Sequence, residues 1–147
     1  MRYSAPKKKS DKKKLRDKIG AIHYRLLKLK RGDKCEICGQ PGAEGRFHII
    51  PVSESLRLEF VDDNVLLSHW MRGCQAHYKW HHEGKDSPRC DFILKKVREL
   101  KGDDYRATLK ERELFMGKAD ILYLKIKLIE MQNELQRWEL TKEGVYE

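Results

Sequence analysis

Cys35-Glu36-Ile37-Cys38-Gly39, Arg46-Phe47-His48-Ile49-Ile50-Pro51, Leu56-Arg57-Leu58-Glu59-Phe60-Val61-Asp62-Asp63-Asn64 and His77-Tyr78-Lys79-Trp80-His81-His82 follow one another between residues 35 and 82. Five of the six histidines and three of the four cysteines lie in that span, so thiolate and imidazole ligands are concentrated in one place. Cys-x-x-Cys-Gly puts two thiolates on a tight turn that one tetrahedral ion can bridge, the geometry of a zinc knuckle. A thioredoxin-type redox pair would need a βαβ context, whereas here Gln40-Pro41-Gly42 continues as a loop. Cys74 is the third expected ligand. His69 is the choice for the fourth, with His77 and Cys90 as alternatives that spacing leaves open.

Around His48 the chain is short, apolar and β-branched, which predicts a strand over 46–52 ended by Pro51. Residues 56–61 read as its hairpin partner, and Asp62-Asp63-Asn64 as the turn that follows. A helix or helical turn over 75–82 places His77 and His81 at i and i+4 on one face, where two imidazoles can hold a divalent cation.

A chain of 147 residues is one domain with a modest core, for which a structural metal is a physical aid to holding loops. Residues 1–31 hold 13 Lys and Arg against two Asp, while the rest of the chain, 19 basic and 21 acidic, is nearly neutral. A basic arm on a neutral body points to a polyanion, DNA above all, with Lys7, Lys8, Lys9, Lys12, Lys13, Lys14, Arg16, Lys18, Arg25 and Lys28 as phosphate contacts. Residues 1–14 are too poor in apolar side chains to order by themselves. Leu15, Ile19, Ile22, Leu26 and Leu29 predict an amphipathic helix over 15–31, closed by Gly32. No apolar run is long enough to span a membrane, and the N-terminus lacks the apolar segment of a signal peptide. Together with Cys-x-x-Cys this places the chain in a reducing compartment, the cytoplasm.

Beyond Pro88 the pattern turns helical. Phe92, Ile93, Val97 and Leu100 form one run, and Tyr105, Leu109 and Leu114 a second. Ile121, Leu124, Leu128, Met131, Leu135 and Trp138 form a third, widened by Leu122 and Ile129. The last stripe suits packing on the body or a two-stranded coiled coil, a homodimer through this helix.

His48-Ile-Ile-Pro, Leu56-Arg-Leu-Glu-Phe with Asn64, and His77-Tyr-Lys-Trp-His81 together resemble the HNH endonuclease family, and the preceding Cys-x-x-Cys its zinc-containing branch. The basic lead-in to Cys35, the Gly102-Asp-Asp-Tyr-Arg-Ala-Thr-Leu segment and the terminal helix are similar to phage NinG/Rap recombination nucleases, which act on branched DNA. The likeness covers about residues 12–138. It implies a small α+β fold: a zinc-stabilised ββα-metal core over 32–88, flanked by a basic arm over 1–14, the 15–31 helix and a helical region over 89–147. It also implies hydrolysis of DNA phosphodiesters, with His48 as general base, Asn64 as the central asparagine, and His77 and His81 at the catalytic cation. Cys35, Cys38, His69 and Cys74 would hold structural zinc.

Family members place Asp or His directly before the general base; this chain has Phe47. The cation would then rest on His77, His81, water and phosphate, or on a displaced group such as Glu44. Of Mg²⁺, Mn²⁺ and Ni²⁺, magnesium suits two imidazoles least. The alternative is a zinc-knuckle DNA-binding protein that keeps the scaffold without catalysis, and a third class is a scaffold protein that pairs through its last helix.

Overall fold

The computed structural model describes residues 10–83 and 87–142. They form a small α+β fold of five helices and one two-stranded antiparallel sheet. Helix α1 (Asp11–Arg31) is followed by β1 (Gly45–His48), β2 (Val65–Ser68), α2 (Ala76–Tyr78), α3 (Asp91–Lys101), α4 (Tyr105–Leu114) and α5 (Ile121–Lys142).

Helix α1 begins four residues earlier than its apolar stripe predicts. Ser10 caps it by accepting a hydrogen bond from the Lys13 amide at 3.1 Å, and lysines propagate a helix well without apolar contacts. Residues 11–14 therefore belong to the helix and not to a disordered arm. Lys7, Lys8 and Lys9 lie outside the described residues.

The sheet departs further from expectation. Strand β1 ends at His48, and its partner is β2, paired Phe47 to Leu66 and His48 to Val65. Residues 56–61 alternate like a strand but form consecutive turns. Their side chains are drawn to different places: Leu58 and Val61 enter the main core, Phe60 joins Ile19, Leu26 and Leu124, and Glu59 pairs with Arg16. The alternation records three separate attachments, not one sheet face.

All four residues of β2 are buried, because both faces are covered. Val65 and Leu67 meet Leu27 of α1, while Leu66 packs on the opposite side with Phe47, Ile93 and Val97. Helix α5 lies along α1, burying Leu124 and Met131 with Leu128 and Leu135 partly covered. Leu124, Leu128, Met131 and Leu135 of the stripe are thus spent on the body of the protein, while Leu122 and Ile129, which widen it, stay exposed. No helix among the described residues is long and apolar enough to cross a membrane.

Candidate metal centre and active site

The turn after Cys35 closes through the Gly39 amide to the Cys35 carbonyl at 2.8 Å and the Cys35 amide to the Gln40 carbonyl at 2.9 Å. Glu36 fastens this turn to β2: its amide donates to the Leu67 carbonyl, and its carboxylate accepts from the Leu67 amide and from Arg31. The knuckle is therefore held against the end of the sheet from which His69 projects.

Cys35, Cys38, His69 and Cys74 converge there, with their ligand atoms all within 4.8 Å of one another. Cys38 Sγ is 3.3 Å from His69 Nδ1, Cys74 Sγ is 3.6 Å from the same nitrogen, and Cys35 Sγ is 3.6 Å from Cys74 Sγ. A tetrahedron with metal–sulfur bonds of about 2.3 Å has edges of roughly 3.8 Å, so the spacing suits one ion. The other ring nitrogen of His69 donates to the Pro41 carbonyl at 3.0 Å, which leaves Nδ1 as the lone-pair donor facing the thiols. His77 and Cys90, the alternatives from spacing, are elsewhere: His77 stacks on Trp70, and the buried Cys90 thiol donates to the Lys79 carbonyl.

Cys35 and Cys74 are shifted in opposite directions. Burial pushes Cys35 up, but the backbone amides around it, led by Cys38, outweigh burial and hold it below the ordinary thiol value. Burial and then the charge on Cys35 push Cys74 up to about 12. Three thiolates in one small volume need a cation to be stable together.

Gly73 makes the centre possible. Its φ is +56°, and a Cβ there would stand 2.5 Å from His69 Nδ1. Gly73→Ala is expected to lower metal affinity at least about tenfold, by analogy with other changes to groups that orient metal ligands. Competition with a chromophoric chelator measures it.

The second cluster grows directly out of the first. The His77 amide donates to the carbonyl of His69 at 3.1 Å, tying α2 to a metal ligand. The helix continues as a wider π-helical turn over Lys79–Glu83. His77 and His81 share a face with ring centroids 4.5 Å apart. Trp70, seated against Gly45 so closely that a Cβ would come within 2.6 Å of the indole, stacks on His77 at 4.2 Å. Beneath the pair lies Phe47, fully buried, in contact with His77, His81 and Trp80. Burial, then the neighbouring imidazoles, lowers His77 to about 4, and burial lowers His81. Both rings are neutral at pH 7, the state in which imidazole binds metal.

Phe47 thus does the work of packing at the position where a metal ligand is expected. Glu44 does not replace it, since its carboxylate accepts from the Trp70 and Arg72 amides. Among the described residues no third His, Cys, Asp or Glu joins the His77–His81 pair.

His48 sits on β1 next to Phe47 and donates from Nε2 to the Glu59 carbonyl at 2.9 Å, leaving Nδ1 as an acceptor. Its basicity is far below that of an ordinary imidazole. Burial first, and Arg46 second, lower its pKa to about 3. Asn64 is also more committed than its motif position suggests. Its Oδ1 accepts from the Ile50 amide at 2.8 Å, and its Nδ2 donates to the Ile50 and Leu58 carbonyls at 3.0 and 3.2 Å. It fixes the loop between His48 and Glu59 and has no direct bond to His48, so its place is positional.

A polar network that the sequence did not disclose supports this loop. Arg46 donates to His23 Nδ1 at 3.2 Å, and His23 Nε2 donates to Asp62 at 2.8 Å. Arg16, expected on the DNA-facing side, makes a two-pronged contact with buried Glu59 at 2.9 and 3.0 Å and serves the fold. The only sequence signal was a glutamate inside the apolar run 56–61. Of the other expected phosphate contacts, Lys13 pairs with Asp17, Arg25 with Glu139 and Lys28 with Asp33, all on the surface. Lys14 and Lys18 are exposed without an acidic partner among the described residues. Surface pairs of this kind contribute under about 1 kcal/mol.

Comparison of the chain with known protein families, with characterised proteins and with solved structures finds no match.

Proposed function

We propose that the chain is a metal-dependent endonuclease of the HNH kind that hydrolyses DNA phosphodiesters, a phage recombination or DNA-processing nuclease with branched DNA as its preferred substrate. The observation that carries the reading is the pair of neutral imidazoles, His77 and His81, fixed on a helix that is bonded to the Cys35–Cys38–His69–Cys74 centre and packed on the strand bearing His48. In this reading the cysteine–histidine centre holds zinc and sets the shape. His77 and His81 would hold a divalent cation, which when bound would supply charge stabilisation at the scissile phosphate and the leaving oxygen.

His48 takes the proton of the attacking water at Nδ1, since Nε2 is engaged with Glu59. In the free protein its basicity is low; a phosphate anion beside the ring favours the imidazolium and raises it. Burial and Arg46 hold the ring neutral, the form that can accept that proton. Asn64 keeps the loop that supplies the Glu59 carbonyl. Two imidazoles without a carboxylate favour Mn²⁺ or Ni²⁺ over Mg²⁺. DNA is held through the α1 lysines and the arm before them.

Incubation of the zinc-loaded protein with linear, nicked and branched DNA in Mg²⁺, Mn²⁺ or Ni²⁺ tests the reading. The expected result is cleavage that is fastest on branched DNA in Mn²⁺ or Ni²⁺. Salt-sensitive binding with no cutting in any of the three would favour the second reading, a non-catalytic zinc DNA-binding module, which the buried Phe47 supports.

A further inference from the structure

We propose that the outer face of α5 is a parallel, two-stranded coiled-coil interface between two copies of this chain. The face is distinct from the one that packs on α1. Leu124 and Met131 point into the fold, and at 100° per residue the opposite side carries Leu122, Ile126, Ile129, Asn133, Gln136 and Leu140. Leu122, Ile126 and Ile129 are 66, 49 and 58% exposed. Three neighbouring aliphatic side chains left in water on one helix face mark a contact surface.

Three features of this face select a second copy of the chain as the occupant. First, the spacing alternates four and three residues from 122 to 140, the heptad seam that turns one helix face toward a partner. With Ile126 at an a position, Leu122 and Ile129 fall at d. Second, Asn133 falls at the next a position. A single buried asparagine there pairs with its own counterpart and fixes a two-stranded parallel register at some cost in affinity. Third, the flanking charges are complementary only in that register. Lys125 is at g and Glu130 at the following e, so each lysine of one copy meets the glutamate of the other, twice per dimer. Both are exposed and neither has an ion-pair partner among the described residues. In an antiparallel pair g meets g and e meets e, and this match is lost.

A seam under three heptads is weak for free peptides, which must fold as they associate. Here α5 is already helical along its length because α1 supports its inner face, so association does not carry the cost of ordering the backbone.

Sedimentation of the full zinc-loaded chain in reductant, from low micromolar to near-millimolar concentration, tests the proposal. The expected result is a monomer–dimer equilibrium. Ile126→Glu with Ile129→Glu, both on the surface, should leave helicity and zinc content unchanged and the chain monomeric at every concentration. Lys125→Glu alone and Glu130→Lys alone should each weaken association roughly tenfold, and an equimolar mixture of the two should recover it as a heterodimer. A wild-type monomer throughout, or a dimer indifferent to the paired Ile→Glu change, overturns the interface. A mixture that fails to recover overturns the parallel register. None of these readouts depends on DNA cleavage.

Discussion

Removing a metal ion from the Cys35–Cys38–His69–Cys74 centre is expected to unfold the part of the protein built around the sheet and α2. Structural zinc contributes on the order of 10 kcal/mol in small domains, which exceeds the whole stability of many domains of this size. The centre ties together the knuckle, which Glu36 also fastens to β2, and the segment leading into α2, which starts from the carbonyls of His69 and Trp70. Without the ion, Cys74 remains a thiol, and the turn around Gly73 is left to the Glu44 carboxylate on the Trp70 and Arg72 amides and to the Gln75 amide on the Arg72 carbonyl. Dialysis against a strong chelator in reductant should abolish the near-ultraviolet signal of Trp70 and Trp80, and re-addition of Zn²⁺ should restore it. Cys74→Ser should behave as the stripped protein even in excess zinc. The affinity should fall as pH falls, because thiols must lose protons to bind. An unchanged melting temperature in chelator would contradict the structural role of the centre.

The second large effect is expected at Asn64. Replacement by alanine leaves the Ile50 amide and carbonyl without their side-chain partner in a buried loop and takes one of two donors from the Leu58 carbonyl, which keeps the Val61 amide. Each buried unsatisfied group costs about 1–3 kcal/mol, so Asn64→Ala should destabilise by about 3–5 kcal/mol. Asn64→Asp keeps the acceptor but removes both donors and adds a buried charge, and should be at least as damaging. Urea denaturation of the metal-loaded variants measures both. A variant of normal stability that fails to cleave DNA would instead mean that the amide acts on substrate.

The metal centre was the most legible part of the sequence, since Cys-x-x-Cys-Gly, His69 and Cys74 have few other uses, and the i,i+4 spacing of His77 and His81 survives even in a π-helical turn. The helices were legible from their apolar periods, with α1 misjudged only where lysines and a serine cap extend it. The sheet was not. Residues 56–61 carry a strand-like alternation whose side chains belong to separate cores and to an ion pair. Such an alternation cannot by itself say whether alternate residues share a destination. The same limit applied to His23, Arg46, Glu59 and Asp62, which meet across a sequence separation of up to 39 residues. Their network has no local signature. In α5 a widened stripe concealed two faces, and only the position of α1 tells the inner one from the outer.

The geometry also redistributes the roles within the motif. Phe47 closes the core under the histidine pair, Asn64 secures a loop, and His48 keeps one nitrogen engaged and one open. The proposed chemistry then rests on His48, His77 and His81, with His48 as the single group proposed to move a proton. The most direct test is the single-turnover cleavage rate of branched DNA by wild type and His48→Ala, each at one zinc per chain and in saturating Mn²⁺. A loss of about a thousandfold in the variant, with DNA affinity unchanged, is the predicted result. Equal rates in the two proteins would contradict the assignment of this site to phosphodiester hydrolysis.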